Sequence, residues 1–305
     1  MTTLTVDRTT TAAASARSME RMRRIARRRR YLLNAGAAVI CVALIIWTFI
    51  PIYNMVMVSL KPDSDVFSDH LFTPHPSLQS FWVVFTQGHW YLENFWLQFR
   101  NSVFIAAMVT LIVLAIASLT TYAVGRMRVR NGWLVTNAAL MTYLIPASFL
   151  AIPFYMIMGH YGLHNNPWSV IAAEVTFATP YAIFIFMEYG RSIPIELDES
   201  ARIDGASPFQ IYYKIYLPLM APALVAVGTY AMLVAWNQYL YQFLLLSDKA
   251  SMTVPVALAQ FINSDVAPWN YMMATAIIYA IPPICIYYAF RRRMSSGLTI
   301  GGVKG

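Results

Sequence analysis

Long apolar runs alternate along the chain with short polar connections that contain Pro, Gly and most of the charge. A helix needs about 20 apolar residues to cross the hydrocarbon core of a bilayer. Six stretches reach that length: 32–60, 102–124, 134–158, 169–187, 217–240 and 270–290. Glu174, in the fourth, is the one carboxylate within a predicted span. The pattern predicts an all-α membrane protein with six transmembrane helices. Proline interrupts nearly every span, at Pro51, Pro146, Pro153, Pro180, Pro222, Pro282 and Pro283. Each removes a helical hydrogen bond and frees a carbonyl that needs another partner. The breaks read either as simple kinks or as helices that move and line a path.

Composition agrees with a lipid solvent. Of 305 residues, 58% are hydrophobic and only 12% charged, about half the charge of an average soluble domain. Mean hydropathy is +0.52. These values exclude a soluble globular domain and, away from the ends, disorder. The distribution of the 22 cations sets the orientation. Nine Arg between Arg8 and Arg30, then Arg126, Arg128, Arg130, Arg191, Arg202, Lys214, Arg291, Arg292, Arg293 and Lys304 fall on one side. Lys61, Arg100 and Lys249 fall on the other, with all five His. The positive-inside rule then puts both termini in the cytoplasm.

The ends and the cysteines add little chemistry. Residues 1–30 read as a basic cytoplasmic arm, largely disordered, 31–290 as the six-span domain and 291–305 as a cytoplasmic tail. Arg28 to Leu33 look slightly like a twin-arginine export signal. The apolar core that follows is far longer than the roughly 7–15 residues of a cleavable signal, and five more spans follow it. The Arg run fixes orientation and touches anionic lipid, at about 1 kcal/mol per cation, and is not read as a nucleic-acid site. Two cysteines, Cys41 and Cys285, exclude a disulfide framework and a four-Cys metal site.

The connection between the fourth and fifth spans, 193–218, reads as helix, turn, helix. Pro194 suits a first helical position, where its missing N–H is no loss. Glu196, Asp198 and Glu199 sit in the first turns, toward the positive end of the helix dipole. Leu197 and Ala201 share a face. Gly205 is placed as a left-handed C-terminal cap, and Ser207 before Pro208 starts a second helix. Helices this short are marginal alone, so the pair must pack on the bundle or on a partner.

Other chemistry is sparse. The chain has no phosphate-cradling Gly-x-x-x-x-Gly-Lys-Ser/Thr and no His-Glu-x-x-His, so no enzyme is nominated, and energy comes from a partner or an ion gradient. His160 and His164 have a spacing two metal ligands could use but read as a solvated interfacial pair. Glu174 reads either as a pathway residue or as a carboxylate near the interface. Trp236, Asn237, Gln238 and Tyr239 combine stacking surface with amide hydrogen bonding, as sugar recognition favours. They also suit an aromatic belt.

Glu199, Ala201, Gly205, Ile215, Leu217 and Pro218 fall at the spacing of Glu-Ala-Ala, three residues, Gly, nine residues, Ile-x-Leu-Pro, with Ser200 in place of the middle Ala. This resembles the EAA motif of binding-protein-dependent ABC importer permeases. Ala235-Trp236-Asn237-Gln238-Tyr239-Leu240 resembles a stretch of the carbohydrate permeases, and the tail from Arg291 resembles the ending of the maltose-type second permease subunit. From its first span to its last residue the chain is similar to that family.

The resemblance implies an ABC type I importer permease fold in a bacterial cytoplasmic (inner) membrane. It implies a second homologous permease subunit, two ABC ATPase subunits and an extracytoplasmic solute-binding protein. No cofactor is bound by this chain, and ATP and Mg sit on the ATPases. Glu199, Ser200, Ala201, Asp204, Gly205, Ile215, Leu217 and Pro218 would form the coupling loop. Glu174, Trp236, Asn237, Gln238 and Tyr239 would line the pathway. The solute implied is an oligosaccharide, a glycoside or a glycerol-phosphate type polyol, which in some members the partner permease holds. A stand-alone secondary transporter or channel for a small polar solute would explain kinked spans and Glu174, but not the loop spacing.

Overall fold

The structure, a computed structural model, describes residues 8–263 and 267–298. Two compact units divide the chain, residues 1–57 and 58–305. The first is built on α1 (Arg8–Ser59), a single helix of 52 residues with Pro51 inside it. Its segment Arg27–Ser59 is apolar and long enough to cross a bilayer. The helix reaches back to Arg8, into the arm expected to be irregular. Ala12, Ala13, Ala14 and the Arg residues there are good helix formers.

The second unit contains α2 (Gln79–Thr86), α3 (Phe95–Gly125), α4 (Gly132–Thr142), α5 (Ala151–His160), α6 (Pro167–Gly190) and α7 (Glu196–Ile203). Next, α8 (Pro208–Ile211) runs through a π-helical turn, Tyr212–Tyr216, into α9 (Leu217–Leu219). The chain continues through α10 (Ala221–Asn237), α11 (Leu240–Leu245), α12 (Val254–Gln260) and α13 (Trp269–Leu298). No strand occurs among the described residues.

Four helices, α1, α3, α6 and α13, are long and apolar enough to span without interruption. The six-span expectation is met when two bent pairs each count as one span. The stretch expected at 134–158 is broken: Gly132–Thr142 and Ala147–His160 meet at 92°. Pro146 sits in the break, and the Tyr241 hydroxyl donates to the Ala147 carbonyl over 2.6 Å, supplying a partner the helix no longer provides. The stretch expected at 217–240 begins instead at Ala221. Leu217–Leu219 belongs to the preceding segment, Pro208–Leu219, which meets α10 at 77°. Leu217 packs on the unit's core, which is why an apolar stretch could be read from that residue onward.

In the core, α3 packs against α6 and α10, and α10 against α13. Ala106 and Ala117 on α3, and Ala173, Ala178 and Ala182 on α6, are fully buried and let the backbones approach closely. Gly228 serves α10 in the same way, because a Cβ there would lie 3.3 Å from Leu114 Cδ1. Trp236 stacks on Tyr279, with ring centres 4.5 Å apart and planes 15° from parallel. The Tyr279 hydroxyl donates to the Trp236 carbonyl, joining α13 to α10. Cys41 and Cys285 are free thiols.

Candidate functional site

The connection 193–218 folds as the expected helix pair, α7 and α8. Gly205 adopts φ +82°. The Ala206 N–H reaches the Ala201 carbonyl at 2.9 Å and the Gly205 N–H the Arg202 carbonyl at 3.0 Å, a closed Schellman cap. Ser207 and Gln210 form a reciprocal capping box that starts α8.

What holds this pair to the bundle is a cluster at the end of α3. Arg126, just past its last turn, is buried. Its guanidinium donates to the carbonyls of Ile193 (3.0 Å) and Pro194 (3.5 Å), and its Nε lies 3.7 Å from Asp198 Oδ2. Asp198 is also buried, and neither of its oxygens accepts a hydrogen bond among the described residues. Three tyrosines complete the cluster. The Tyr122 hydroxyl donates to the Pro208 carbonyl (2.8 Å), Tyr212 shares a 2.8 Å hydrogen bond with Ser118, and Tyr216 donates to Thr121. The Arg126 guanidinium also lies over the Tyr216 ring. Sequence reasoning missed this cluster. Arg126 carried an orientation signal and Asp198 read as one acid of an exposed loop, because nothing local links residues so far apart.

The remaining loop residues divide by face. Glu199, Ser200, Asp204, Gly205 and Pro218 are exposed; Ala201, Ile215 and Leu217 are half-buried against the core. Ile203 (87% exposed), Phe209 (68%), Leu197 and Tyr213 present apolar surface beside those acids. Unpartnered apolar surface rimmed by charge is the ordinary mark of a protein-docking face. A cleft of about 370 Å³ lies behind it, lined by Arg126, Arg128, Arg191 and Glu196 among others.

The residues expected to line a pathway separate in the structure. Trp236 is buried in the α10–α13 stack, packing there rather than facing open space on the Tyr279 side. Asn237 is exposed, with its amide on the Leu233 carbonyl (2.9 Å). Gln238 breaks the helix between α10 and α11. Its Oε1 accepts from the N–H groups of Tyr239 and Leu240. Tyr239 is exposed and stacks on Phe243. Glu174 is completely buried on α6; among the described residues neither oxygen has a partner at full hydrogen-bond geometry, and the Gln238 amide, with Tyr241, is the polar group that faces it.

Two open cavities flank α10. One, of about 420 Å³, lies between the break in the third span, α6 and α10; its walls include Tyr143, Thr176, Tyr230 and Gln238. The other, of about 540 Å³, lies between α3, α10 and α13 and is aliphatic and aromatic apart from two threonines. Sequence reasoning found Gln238 but not the two tyrosines, of which Tyr143 caps α4 and Tyr230 lies in α10.

No group of three metal-ligating side chains occurs among the described residues. His164 stacks on Tyr155 at 4.3 Å, with its Nε2 3.0 Å from the Tyr155 carbonyl, so the His160–His164 spacing does not produce a ligand pair. His89, in the connection from α2 to α3, lies among Trp90, Tyr91 and Tyr271. Burial pushes its imidazole below the ordinary value, and the Asp63 carboxylate opposes that shift.

Residues 117–299 match the family described as binding-protein-dependent transport system inner membrane component. The chain is 33% identical to the trehalose transport system permease protein SugB of Mycobacterium tuberculosis (strain CDC 1551 / Oshkosh), covering 85% of this chain and 93% of that one. It is 31% identical to the inner membrane ABC transporter permease protein YcjP of Escherichia coli (strain K12), over 86% and 93%. It is 30% identical to the trehalose/maltose transport system permease protein MalG of Thermococcus litoralis (strain ATCC 51850 / DSM 5473 / JCM 8560 / NS-C), over 91% and 98%. A crystal structure of a bacterial ABC transporter involved in the import of alginate shares the fold, with TM-score 0.62 at 15% identity, over 88% of this chain and 96% of that chain. The chain belongs to the binding-protein-dependent transport system inner membrane components, multi-pass permease subunits of ABC transporters rather than enzymes.

Proposed function

We propose that this permease forms half of the translocation pathway of an ATP-driven sugar importer and couples to its ATPases through α7 and α8. The carrying observation is the exposed face of Leu197, Ile203 and Phe209, with Glu199 and Asp204 at its edge, on a helix pair tied to α3 by Arg126. Such a face suits an apolar cleft with cations at its rim. Closure of an ATPase dimer that grips it would be passed through Arg126 and the tyrosine cluster to α3, and from α3 to α6 and α10.

On this reading a second homologous permease completes the pathway and an extracytoplasmic solute-binding protein delivers the solute. ATP and Mg bind to the ATPase subunits and both termini lie in the cytoplasm. Relatives named for trehalose and for trehalose/maltose transport support a sugar as cargo. Glu199, Ser200, Ala201, Asp204, Gly205, Ile215, Leu217 and Pro218 form the coupling segment. Of these the exposed members touch the ATPase, and the half-buried ones hold the segment in place. The test is reconstitution with the partner permease, ATPase and binding protein. Phe209→Glu should abolish ATPase association and ATP-driven trehalose or maltose uptake while membrane insertion persists. Unchanged association would refute the docking role.

A further inference from the structure

We propose that the cavity at the break of the third span is a subsite, contributed by this subunit itself, for a neutral polyhydroxylated solute. The inference rests on the importer reading above and adds to it a place and a charge class for the cargo. At about 420 Å³ the cavity falls within the size range of small-molecule sites. Its wall carries aromatic faces and hydrogen-bonding groups together. Tyr143, Phe177 and Tyr230 supply the rings, and Tyr181, outside the wall, braces two of them, 4.5 Å from Tyr230 and 6.1 Å from Tyr143 between ring centres. Aromatic faces of this kind accept the C–H face of a pyranose ring, leaving its hydroxyls to edge groups.

Those edge groups are present. Tyr143 and Tyr230, paired with each other, bring hydroxyls to the wall; Thr142 and Thr176 donate to the Ala139 and Ala172 carbonyls and keep lone pairs that accept; Gln238 brings an amide. The Gln238 Oε1 is engaged by two backbone N–H groups, and its NH2, with two N–H bonds, serves both the Glu174 carboxyl and the cavity. Pro180, inside α6, lacks the N–H that would bond the Thr176 carbonyl, which is left as an acceptor beside the cavity. A polyol, which both donates and accepts at every hydroxyl, matches such a mixed wall.

Charge decides the class. No Lys, Arg, His, Asp or Glu lines the cavity. The nearest carboxyl, Glu174, has Gln238 in its field. An anion entering would meet no countercharge in a site of low dielectric, which is costly. The two other clefts differ in kind. The groove beside α13 is apolar enough for acyl chains, and the arginines gather in the cleft beneath the coupling loop.

The test uses the complete importer in proteoliposomes, with Cys41→Ser and Cys285→Ser removing the native thiols. Thr176→Cys or Tyr143→Cys is treated with hydroxyethyl and sulfonatoethyl methanethiosulfonate, and each rate is normalised to Tyr161→Cys in an exposed connection. The sulfonate should react at least about ten-fold more slowly than the neutral reagent, as an anion without a countercharge requires. Equal rates, or no reaction at either position, overturn the proposal. Trehalose, maltose or diacetylchitobiose should slow the hydroxyethyl reaction at Thr176→Cys, and glycerol 3-phosphate should not. Protection by glycerol 3-phosphate, or by none of the four, also overturns it. ATP-driven uptake by the same vesicles judges the importer reading separately, since thiol rates do not depend on turnover.

Discussion

Asp198→Asn removes one charge from the cluster beneath the coupling loop and keeps the side chain's shape. The asparagine leaves Arg126 buried with the carbonyls of Ile193 and Pro194 at 3.0 and 3.5 Å but without its countercharge. Removing one partner of a buried ion pair costs about 3–5 kcal/mol. The 3.7 Å separation is long for a hydrogen bond and Arg126 keeps its carbonyls, so the lower end, about 3 kcal/mol, is expected. Expressed locally, that shifts the balance between docked and loosened loop by roughly 100-fold. The assay is amide hydrogen exchange across residues 195–216 in the assembled transporter, together with ATP hydrolysed per solute moved. Exchange should accelerate and the ATP cost per solute should rise. Arg126→Met should do more damage, because Asp198 has no hydrogen bond to fall back on. A combined Arg126→Met and Asp198→Leu variant should recover part of the loss. Wild-type exchange and coupling in Asp198→Asn would show that the pair does not hold the loop.

Gly205→Ala places a side chain at φ +82°, costing about 1–2 kcal/mol although the space is open. Gly205→Pro also removes the bond to the Arg202 carbonyl, so uptake and coupled ATPase should vanish with insertion intact; wild-type uptake would sink the coupling assignment. Glu174→Gln relieves an unpaired buried carboxyl, and thermal stability of the solubilised permease should rise while uptake falls; unchanged uptake across pH would remove Glu174 from the pathway. His89 has a folded pKa below its ordinary 6.5, so its protonation opposes folding of the α2–α3 connection. The stabilisation is complete above about pH 6.5 and is lost as pH falls through the lower folded value. Fluorescence of Trp90, stacked on Tyr91, should report that loosening, and His89→Phe should abolish the pH dependence; a persistent transition would assign it to another group.

The spans and the helix pair α7 and α8 were legible because each is written in consecutive residues. Apolar length marked the spans, and Gly205 and Ser207-Pro208 marked the stop of α7 and the start of α8; α7 itself begins at Glu196, two residues after the Pro194 expected to open it. Where the reading slipped, hydrophobicity served two purposes. Leu217 is apolar because it packs on the core beneath the loop, yet it lies close to α10 and so lengthened the apparent fifth span. Trp236 was read for its stacking surface, and its ring both stacks on Tyr279 and lines the apolar cavity between α3, α10 and α13. Arg126 with Asp198, and Tyr143 with Tyr181 and Tyr230, are assembled only by the crossing of helices. Their sequence separation follows no helical period, so no local pattern could pair them.

The π-helical turn at Tyr212–Tyr216 has a consequence for how the docking face is aimed. A π turn accommodates one residue more than the α-helix around it. Each residue of an α-helix sweeps about 100°. Five residues in the widened turn sweep about the same arc as four in an α-helix, so the extra residue is absorbed where it stands and Phe209 keeps its azimuth. Deleting one residue within the turn would restore a regular helix and leave the face aimed as before. The change would fall on the buried side instead, where the hydroxyls of Tyr212 and Tyr216 meet Ser118 and Thr121.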